Sequence, residues 1–308
     1  MTLQQLEYIL AVDHFRHFAK AAEHCRVTQP TLSAMIQKLE EELGTKIFDR
    51  TKQPVCPTQI GEKILIQARL VLEQTSRVME LIREEEGSLT GTFRLGVLPT
   101  IAPYLLPRFF PRLMEMYPEL DIRITEMKTP RILQTLRDGK IDAGLVATQP
   151  QESGYTGTTL FYESFYGYVS REENLFQKDR IRTSDITGER LWLLDEGHCF
   201  RDQLIRFCQL EKVRVNQMAY HLGSMETFMR MVEGGKGITF IPELAVHQLS
   251  DGQKELVRPF AVPRPTRQIV LVTRHDFIRH CILDVLKEAI QKSVPKEMLV
   301  LQPLQQLM

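Results

Sequence analysis

The sequence predicts an N-terminal all-α winged helix-turn-helix with a long linker helix, and then an α/β body of two subdomains. Three observations carry that prediction. Residues 1–57 read as helices followed by a hairpin, residues 58–88 form one long helical pattern ending in EEEGSLTG, and from residue 92 onward short apolar strands alternate with amphipathic helices. The body is expected over 92–295, with subdomain I at about 92–161 and 266–295, subdomain II at about 162–265, and a tail at 296–308.

Length and composition permit this layout. A chain of 308 residues with 43% hydrophobic content is long enough to bury two or three cores. No stretch reaches the roughly 18 consecutive apolar residues of a membrane helix. The opening MTLQQLEYIL, with Glu7 in it, lacks the basic segment and cleavage site of a secretory leader. The expected setting is the cytoplasm, with no membrane contact. The five cysteines, at 25, 56, 199, 208 and 281, are odd in number and form no CxxC pair, which argues against a secreted disulfide framework and a zinc ribbon. No metal and no cofactor are expected. With 39 basic and 39 acidic residues the net charge is zero, so any nucleic-acid partner must be signalled locally.

The head supplies such a signal. In FAKAAEHCRVTQPTLSAMIQKLEEELG an Ala-rich helix runs from Phe18 to about Cys25, breaks at Arg26 to Thr28, and restarts with Thr28 as N-cap and Pro30 in the first turn. Two helices joined by so short a turn predict a helix-turn-helix. In the second helix Leu32, Met35, Ile36, Leu39 and Leu43 share one face. The opposite face carries Pro30, Thr31, Ser33, Ala34, Gln37 and Lys38, with Thr28 and Gln29 at its start. Small polar side chains there let a backbone approach base edges in the major groove while Gln and Ser exchange hydrogen bonds with them. Residues 14–38 hold Arg16, Lys20, Arg26 and Lys38 against Glu23 alone, a local charge of +3, and Lys46, Arg50 and Lys52 follow in a wing-like KIFDRTKQPVCPTQIG. These are candidate phosphate contacts. The alternative is an ordinary αα-hairpin with a solvated polar face.

The run VTQPTLSAMIQKLEEELGTKIFDRT, ending in PTQIG, closely resembles the N-terminal domain of LysR-type transcriptional regulators over residues 1 to about 65. The three-part layout agrees with that family along the whole chain. The resemblance implies double-stranded DNA as partner, read by Thr28, Gln29, Pro30, Thr31, Ser33, Gln37, Lys38 and Arg50, and a periplasmic-binding-protein-like body. One departure is Gln53, which stands in the wing in place of a further basic residue.

In the linker, Ile60, Ile64, Ala68, Val71, Thr75, Val78 and Ile82 step by three or four residues, close to a heptad seam, with Arg69, Glu73, Arg77 and Glu80 beside it. Such a seam calls for a partner helix and predicts a homodimer. Packing against the chain's own body is the alternative. A dimer would also place two recognition helices on half-sites one or more turns of DNA apart.

In the body, FRLGVLP, LDIRITEM, IDAGLVAT, ESFYGYVS, RLWLLD, GITFIP and RQIVLVTR read as strands. YLLPRFFPRLMEMYP, PRILQTLRDGK and SMETFMRMVEGG read as helices between them. That alternation predicts mainly parallel sheets around a cleft. Ligands of open α/β sheets bind beyond the carboxyl ends of strands, and three strand-to-helix junctions stand out: Thr100 in VLPTIAPY, Thr129 in EMKTPRI, and His198 with Cys199 in LLDEGHCFRDQ. Each threonine also reads as a plain helix N-cap. The GGKG run precedes a strand rather than following one, so it reads as a helix C-cap turn and not a phosphate loop.

Cys199, at a helix start beside His198 and near Arg201, is expected to have a lowered pKa and to be the reactive thiol. Cys208, among Leu204, Ile205 and Phe207, reads as more buried. If 199–208 were all helical, nine steps would hold the two Cα atoms roughly 13 Å apart on opposite faces, whereas a disulfide needs about 4.4 to 6.8 Å. Bridging the pair would therefore remodel the segment. The alternative is two unrelated cysteines.

HCFRDQ, with its second cysteine in RFC, together with LPTIAPYLLP and GKGITFIP, is similar to the hydrogen-peroxide-sensing branch of the LysR-type family over essentially the full length. That resemblance implies that Cys199 is the peroxidatic thiol and Cys208 its resolving partner. It implies that Thr100, Thr129, His198, Asp202 and Arg267 build a peroxide pocket, and that the disulfide changes how a homotetramer grips DNA and engages RNA polymerase. The product would be a redox-responsive activator of oxidative-stress genes and not an enzyme. Arg267 in PTRQIVLVTR reads equally as a structural arginine at a strand edge, and Cys25, Cys56 and Cys281 match none of these roles. Two other readings stay open: a LysR-type regulator whose cleft binds a small metabolite, and a thiol peroxidase, in which the helix-turn-helix would have no place.

Overall fold

A computed structural model describes residues 1–186, 191–194, 199–208 and 224–308, the side chains of residues 76 and 79 excepted. The chain divides into two compact units, Met1–Glu86 and Gly87–Met308.

The first unit begins with α1 (Leu3–Phe15), whose N-cap Thr2 forms a capping box with Gln5. It continues through α2 (Phe18–His24) and α3 (Gln29–Leu43). The turn between α2 and α3 places Arg26 at φ 55, and the Thr28 hydroxyl caps α3 by accepting from the Thr31 N–H at 3.3 Å. Ile9, Val12, Leu32, Ile36 and Leu39 are fully buried and form the core. Leu43 departs from the predicted face: it is 40% exposed, because it lies in the last turn before the left-handed C-cap Gly44. The wing strands β1 (Phe48–Asp49) and β2 (Cys56–Pro57) pair antiparallel. Gly61, at the start of α4 (Gln59–Glu85), is required by close approach, since a Cβ there would lie 2.0 Å from the carbonyl oxygen of Ile47. Of the linker seam, Ala68 is buried against the head core and Ile64 packs on it, while Ile60, Val71, Val78 and Ile82 stand exposed on one helix.

The second unit contains β3 (Gly91–Val97), α5 (Ala102–Met116), β4 (Leu120–Glu126), α6 (Thr129–Arg137), β5 (Ala143–Val146), β6 (Tyr155–Val169), α7 (Cys199–Phe207), α8 (Met225–Glu233), β7 (Ile238–Pro242), α9 (Glu243–Val246), α10 (Asp251–Lys254), β8 (Val257–Pro259), β9 (Arg264–Arg274), α11 (His280–Ser293) and β10 (Gln305–Leu307). The strand order is β4–β3–β5–β9–β6–β7, with β10 on β9 and β8 on β6. Among the named strands of the described residues, β3/β4, β3/β5 and β10/β9 run parallel and β5/β9, β9/β6, β6/β7 and β6/β8 are antiparallel. The expectation of mainly parallel sheets is therefore corrected. The reversal comes from β9, which returns from the far end of the chain to lie between β5 and β6 and runs antiparallel to both. RLWLLD also departs from expectation: among its described residues Leu191 makes an isolated bridge to Ile238 rather than a strand. The GGKG run behaves as expected, with Gly234 as the C-cap of α8.

The long strands β6 and β9 pair from Tyr155↔Arg274 to Ser164↔Thr266, and beyond that register β6 turns to β7 and β8 instead. The sheet thus changes partners near Ser164 and Thr266. The tail, for which the sequence offers no role, closes over this point: β10 lies along Arg264–Thr266, and Gln305 Nε2 donates to Ser164 Oγ at 2.8 Å.

Candidate functional site

Two surfaces hold the residues singled out from the sequence, one in each unit. On the head, Thr28, Gln29, Pro30, Thr31, Gln37 and Lys38 are exposed and Ser33 is half-buried. Thr28 and Thr31 are joined hydroxyl to hydroxyl at 2.8 Å, and Gln37 donates to Glu41 at 3.0 Å. Arg50 is not a free phosphate-binding arm. Its Nη1 donates to Ser33 Oγ at 3.0 Å, its Nη2 to Glu40 Oε2 at 3.3 Å, and its guanidinium lies 5.0 Å from the Phe18 ring centre. Glu40, unremarked in the sequence, is the centre of that network: it is 2% exposed, and its Oε1 accepts from the backbone N–H groups of Ile47 at 2.8 Å and Phe48 at 3.3 Å. Lys46 pairs with its Oε2 at 3.3 Å. One carboxylate therefore welds α3 to the wing.

In the body, Thr100, Thr129 and Ala147 follow the carboxyl ends of β3, β4 and β5, and β3 has β4 on one side and β5 on the other. This is the switch point at which open sheets leave a crevice. Neither threonine is a simple N-cap. α5 is capped at Ile101 and α6 at Lys128, both without a side-chain cap bond. Thr100 instead accepts from Arg267 Nη1 at 3.0 Å through its hydroxyl and from Nη2 at 2.9 Å through its carbonyl. Arg267 is not at a strand edge: it is 1% exposed, and Glu163, its cross-strand neighbour on β6, receives its Nε at 2.9 Å and its Nη2 at 2.7 Å. The other Glu163 oxygen accepts from the Leu244 N–H at 3.0 Å. The guanidinium also lies over the rings of Phe165 and Phe200, which pack edge to face.

Phe200 connects this cluster to the thiol, because it adjoins Cys199 at the start of α7. All five cysteines are free thiols. Burial pushes the Cys199 thiol above its ordinary value; the charge of Arg267, the Thr129 hydroxyl and the Phe200 N–H partly offset this, and Asp202 adds to the rise. The expected lowering is thus corrected: desolvation outweighs the helix terminus. Arg201, invoked for the lowering, has its Nη1 directed at the Leu194 carbonyl, and the cation felt by the sulfur is Arg267. His198 lies outside the described residues. Asp202 is exposed on the first turn of α7. Cys208 is buried, and burial pushes its thiol up to about 12.

Two polar atoms beside the thiol are left over. Thr129 Oγ1 is buried and makes no hydrogen bond of good geometry among the described residues, although it lies near enough to favour a thiolate on Cys199. Gln203 Oε1 on α7 is likewise buried without a partner. Glu163 and Gln203 were both missed from the sequence. Glu163 is the lone charge in the strand ESFYGYVS, a signal that was present.

Residues 3–62 match the bacterial regulatory helix-turn-helix protein, lysR family, and residues 86–293 match the LysR substrate binding domain. The chain belongs to the LysR family of transcription regulators. The helices of its head are therefore the DNA-binding domain of a LysR-family protein, and its body is the two-subdomain, periplasmic-binding-like regulatory fold. Among its relatives is the hydrogen peroxide-inducible genes activator of Haemophilus influenzae, 36% identical over 276 residues that cover 89% of this chain and 91% of the relative. Full-length OxyR of Pseudomonas aeruginosa, solved as a variant, superposes with a TM-score of 0.77 at 36% identity, covering 94% of this chain and 98% of that one. OxyR of Porphyromonas gingivalis superposes with a TM-score of 0.67 at 51% identity over 71% of this chain and 99% of that one. Among the described residues no helix is long and apolar enough to cross a membrane.

Proposed function

We propose that this LysR-family regulator senses hydrogen peroxide through a thiol-disulfide switch between Cys199 and Cys208 and transmits the change to DNA. One observation carries the reading. A half-buried thiol stands beside a buried arginine held by Glu163 and Thr100, with a buried threonine hydroxyl at the same place that makes no hydrogen bond of good geometry among the described residues. Unpartnered buried polar groups call for an explanation, and a small hydrogen-bonding oxidant supplies one. Peroxide donates and accepts, so it can satisfy Thr129 while Thr100, whose oxygen is engaged by Arg267, turns its hydrogen toward the incoming oxygen.

The chemistry balances as follows. Cys199 loses its proton to solvent and its sulfur attacks one peroxide oxygen. The O–O bond breaks, and the departing hydroxide takes up a proton to leave as water, giving Cys199 sulfenic acid. Cys208 then attacks that sulfur, the S–O bond breaks, and a second water leaves as the disulfide forms. The two sulfurs are oxidised and peroxide is reduced. Arg267 and Thr100 stabilise the charge developing on the departing oxygen. Asp202 and His198 are assigned to the rim of the same pocket, on the family resemblance alone.

In this reading Gln29, Pro30, Ser33 and Lys38 face the DNA with Thr28, Thr31, Gln37 and Arg50, the exposed seam of α4 pairs two chains, and dimers assemble into a homotetramer that contacts RNA polymerase in the cytoplasm. The protein activates oxidative-stress genes and turns over no substrate beyond its own oxidation.

The test uses the sequence itself. Trypsin cuts after Arg201 and Arg206, so Cys199 and Cys208 leave in separate peptides unless bridged. One equivalent of hydrogen peroxide should join those peptides in the wild type. Cys208→Ser should stop at a Cys199 sulfenic acid, and Cys199→Ser should not react. A wild-type digest without the joined pair overturns the proposal.

A further inference from the structure

Arg267 is 1% exposed, and the number of its N–H groups still free decides what it can offer an oxidant. A guanidinium carries five N–H groups in a fixed plane. The Nε–H donates to Glu163 Oε2 at 2.9 Å, and Nη2 lies 2.7 Å from the same oxygen. Thr100 takes the outer edge, its hydroxyl accepting from Nη1 at 3.0 Å and its carbonyl from Nη2 at 2.9 Å. One N–H of Nε, two of Nη2 and one of Nη1 are thereby engaged, and the second N–H of Nη1 has no acceptor among the described residues. Both paired edges, which a carboxylate or phosphate would grip through two oxygens, are occupied. What remains is one donor, suited to one oxygen atom.

Glu163 keeps the guanidinium in that attitude. It is 2% exposed, and its other oxygen is pinned by the Leu244 N–H at 3.0 Å, so the carboxylate is held from both sides. The guanidinium lies 5.8 Å from the ring centre of Phe200, which adjoins Cys199, and the Cys199 sulfur feels its charge. The spare N–H therefore belongs to the cation beside the thiol.

We infer that Glu163 is a positioning residue for the first step of the switch: it holds the Nε edge of Arg267 so that a single Nη1 N–H is left for the oxygen that departs from peroxide. The inference rests on the peroxide reading above. In that step the Cys199 sulfur bonds to one oxygen and the O–O bond breaks. The other oxygen leaves with the bonding pair as hydroxide and takes up a proton to become water. A donor already fixed in place lowers that barrier, because nothing has to reorient as charge appears on the departing oxygen. Iodoacetamide reacts with the same thiolate but expels iodide, so it gains nothing from such a donor. The ratio of the two rates cancels the ionised fraction of the thiol, which both share.

The experiment measures both rates in the full-length protein carrying Cys208→Ser, in which no 199–208 disulfide consumes the product. Dimedone captures the Cys199 sulfenic acid formed by one equivalent of hydrogen peroxide, iodoacetamide labels the thiol in parallel, and mass spectrometry counts each adduct. Glu163→Gln keeps the volume, but its one oxygen can face Arg267 or Leu244 and not both. Glu163→Asp keeps the charge and falls one methylene short of Arg267. Each should lower the peroxide-to-iodoacetamide ratio about tenfold, and in Glu163→Asp the fall should lie in the peroxide rate itself. An unchanged ratio in either variant, once circular dichroism shows it folded, overturns the inference. So does a ratio lowered in Glu163→Asp only by faster alkylation, the mark of loosened packing. Absence of any Cys199 sulfenic acid in the reference protein instead overturns the peroxide reading on which it rests.

Discussion

The head and the body each bury a carboxylate against an arginine, and they leave it in different company. Glu40 accepts two backbone N–H groups on one oxygen and two cations on the other, and every partner belongs to the joint between α3 and the wing. Glu163 is as deeply buried and as well bonded to Arg267 and Leu244, yet the Cys199 thiol that feels the charge of Arg267 also feels Thr129, whose Oγ1 makes no hydrogen bond of good geometry among the described residues. A satisfied buried network fixes one geometry. A network bordered by stranded polar atoms marks a place where something binds or moves. By that criterion the Glu40 cluster is structural and the Arg267 cluster is chemical.

The largest effect should come from breaking the satisfied side. Glu40→Ala strands the amides of Ile47 and Phe48 and releases Arg50 from the wing. The two amides set the scale at about 2–5 kcal/mol, and the exposed Lys46 pair adds little. Urea unfolding of the head should show this loss, and operator affinity should fall with it because Ser33 loses its anchor. A head of unchanged stability would erase the contrast with the body.

Next comes Gln29, exposed at the start of α3. Gln29→Ala should cost about 1–3 kcal/mol of discrimination at one base pair and leave the fold alone. Arg50→Ala should lower affinity for all sequences and also weaken the head, since it serves both Ser33 and Glu40. Binding curves on cognate and mismatched duplexes, set beside melting curves, separate the two variants.

How much of this was legible in the sequence differs along the same line. The helix-turn-helix was readable because one helix face repeats at 3.6 residues and Thr28 with Pro30 marks its start. Glu40 was not, because it stands in the run EEEL, which reads as solvated. Only its phase, four residues after Ile36 and beside Leu39, betrays it. In the body, Thr100 and Thr129 stood out as strand-to-helix junctions, while their pocket role and Arg267 came from resemblance. Glu163 was in view as a charge inside an apolar strand and was passed over, since the strand alone does not say which residue of a distant strand lies opposite. The antiparallel course of β6 and β9 was missed for the same reason: it depends on pairing between residues more than a hundred positions apart.

On the unsatisfied side, removal should do the opposite of harm. Thr129→Val deletes a hydroxyl that makes no hydrogen bond of good geometry among the described residues and whose one printed neighbour is the Cys199 thiol, so stability should stay within about 1 kcal/mol of wild type or rise. Peroxide oxidation of Cys199 should nevertheless slow. Stopped-flow rates beside melting temperatures test the pair of outcomes, and a variant that melts early with a normal rate would make Thr129 structural after all.

The smallest effect is in pH, and it tests which force governs the thiol. Burial raises the Cys199 pKa more than Arg267, Thr129 and the Phe200 N–H lower it, so alkylation by iodoacetamide should have its midpoint above that of an ordinary thiol, about 8.5. Thr129→Val removes one of the lowering influences and should move the midpoint higher still. The sign carries through to stability. A thiol whose pKa is raised on folding binds its proton more tightly in the native state, so its contribution is full below the unfolded value and is lost as pH rises through the folded one. Cys208, pushed up to about 12 by burial alone, acts in the same direction across a wider alkaline window. Urea midpoints followed from about pH 7 to about pH 10 should therefore decline, and decline less in Cys208→Ser. Because burial works against the thiolate, the proposed sensing of peroxide draws its speed from the way Thr100, Thr129 and Arg267 would hold the oxidant. A Cys199 midpoint below that of a free thiol would reverse this, returning the activation to the helix terminus and His198.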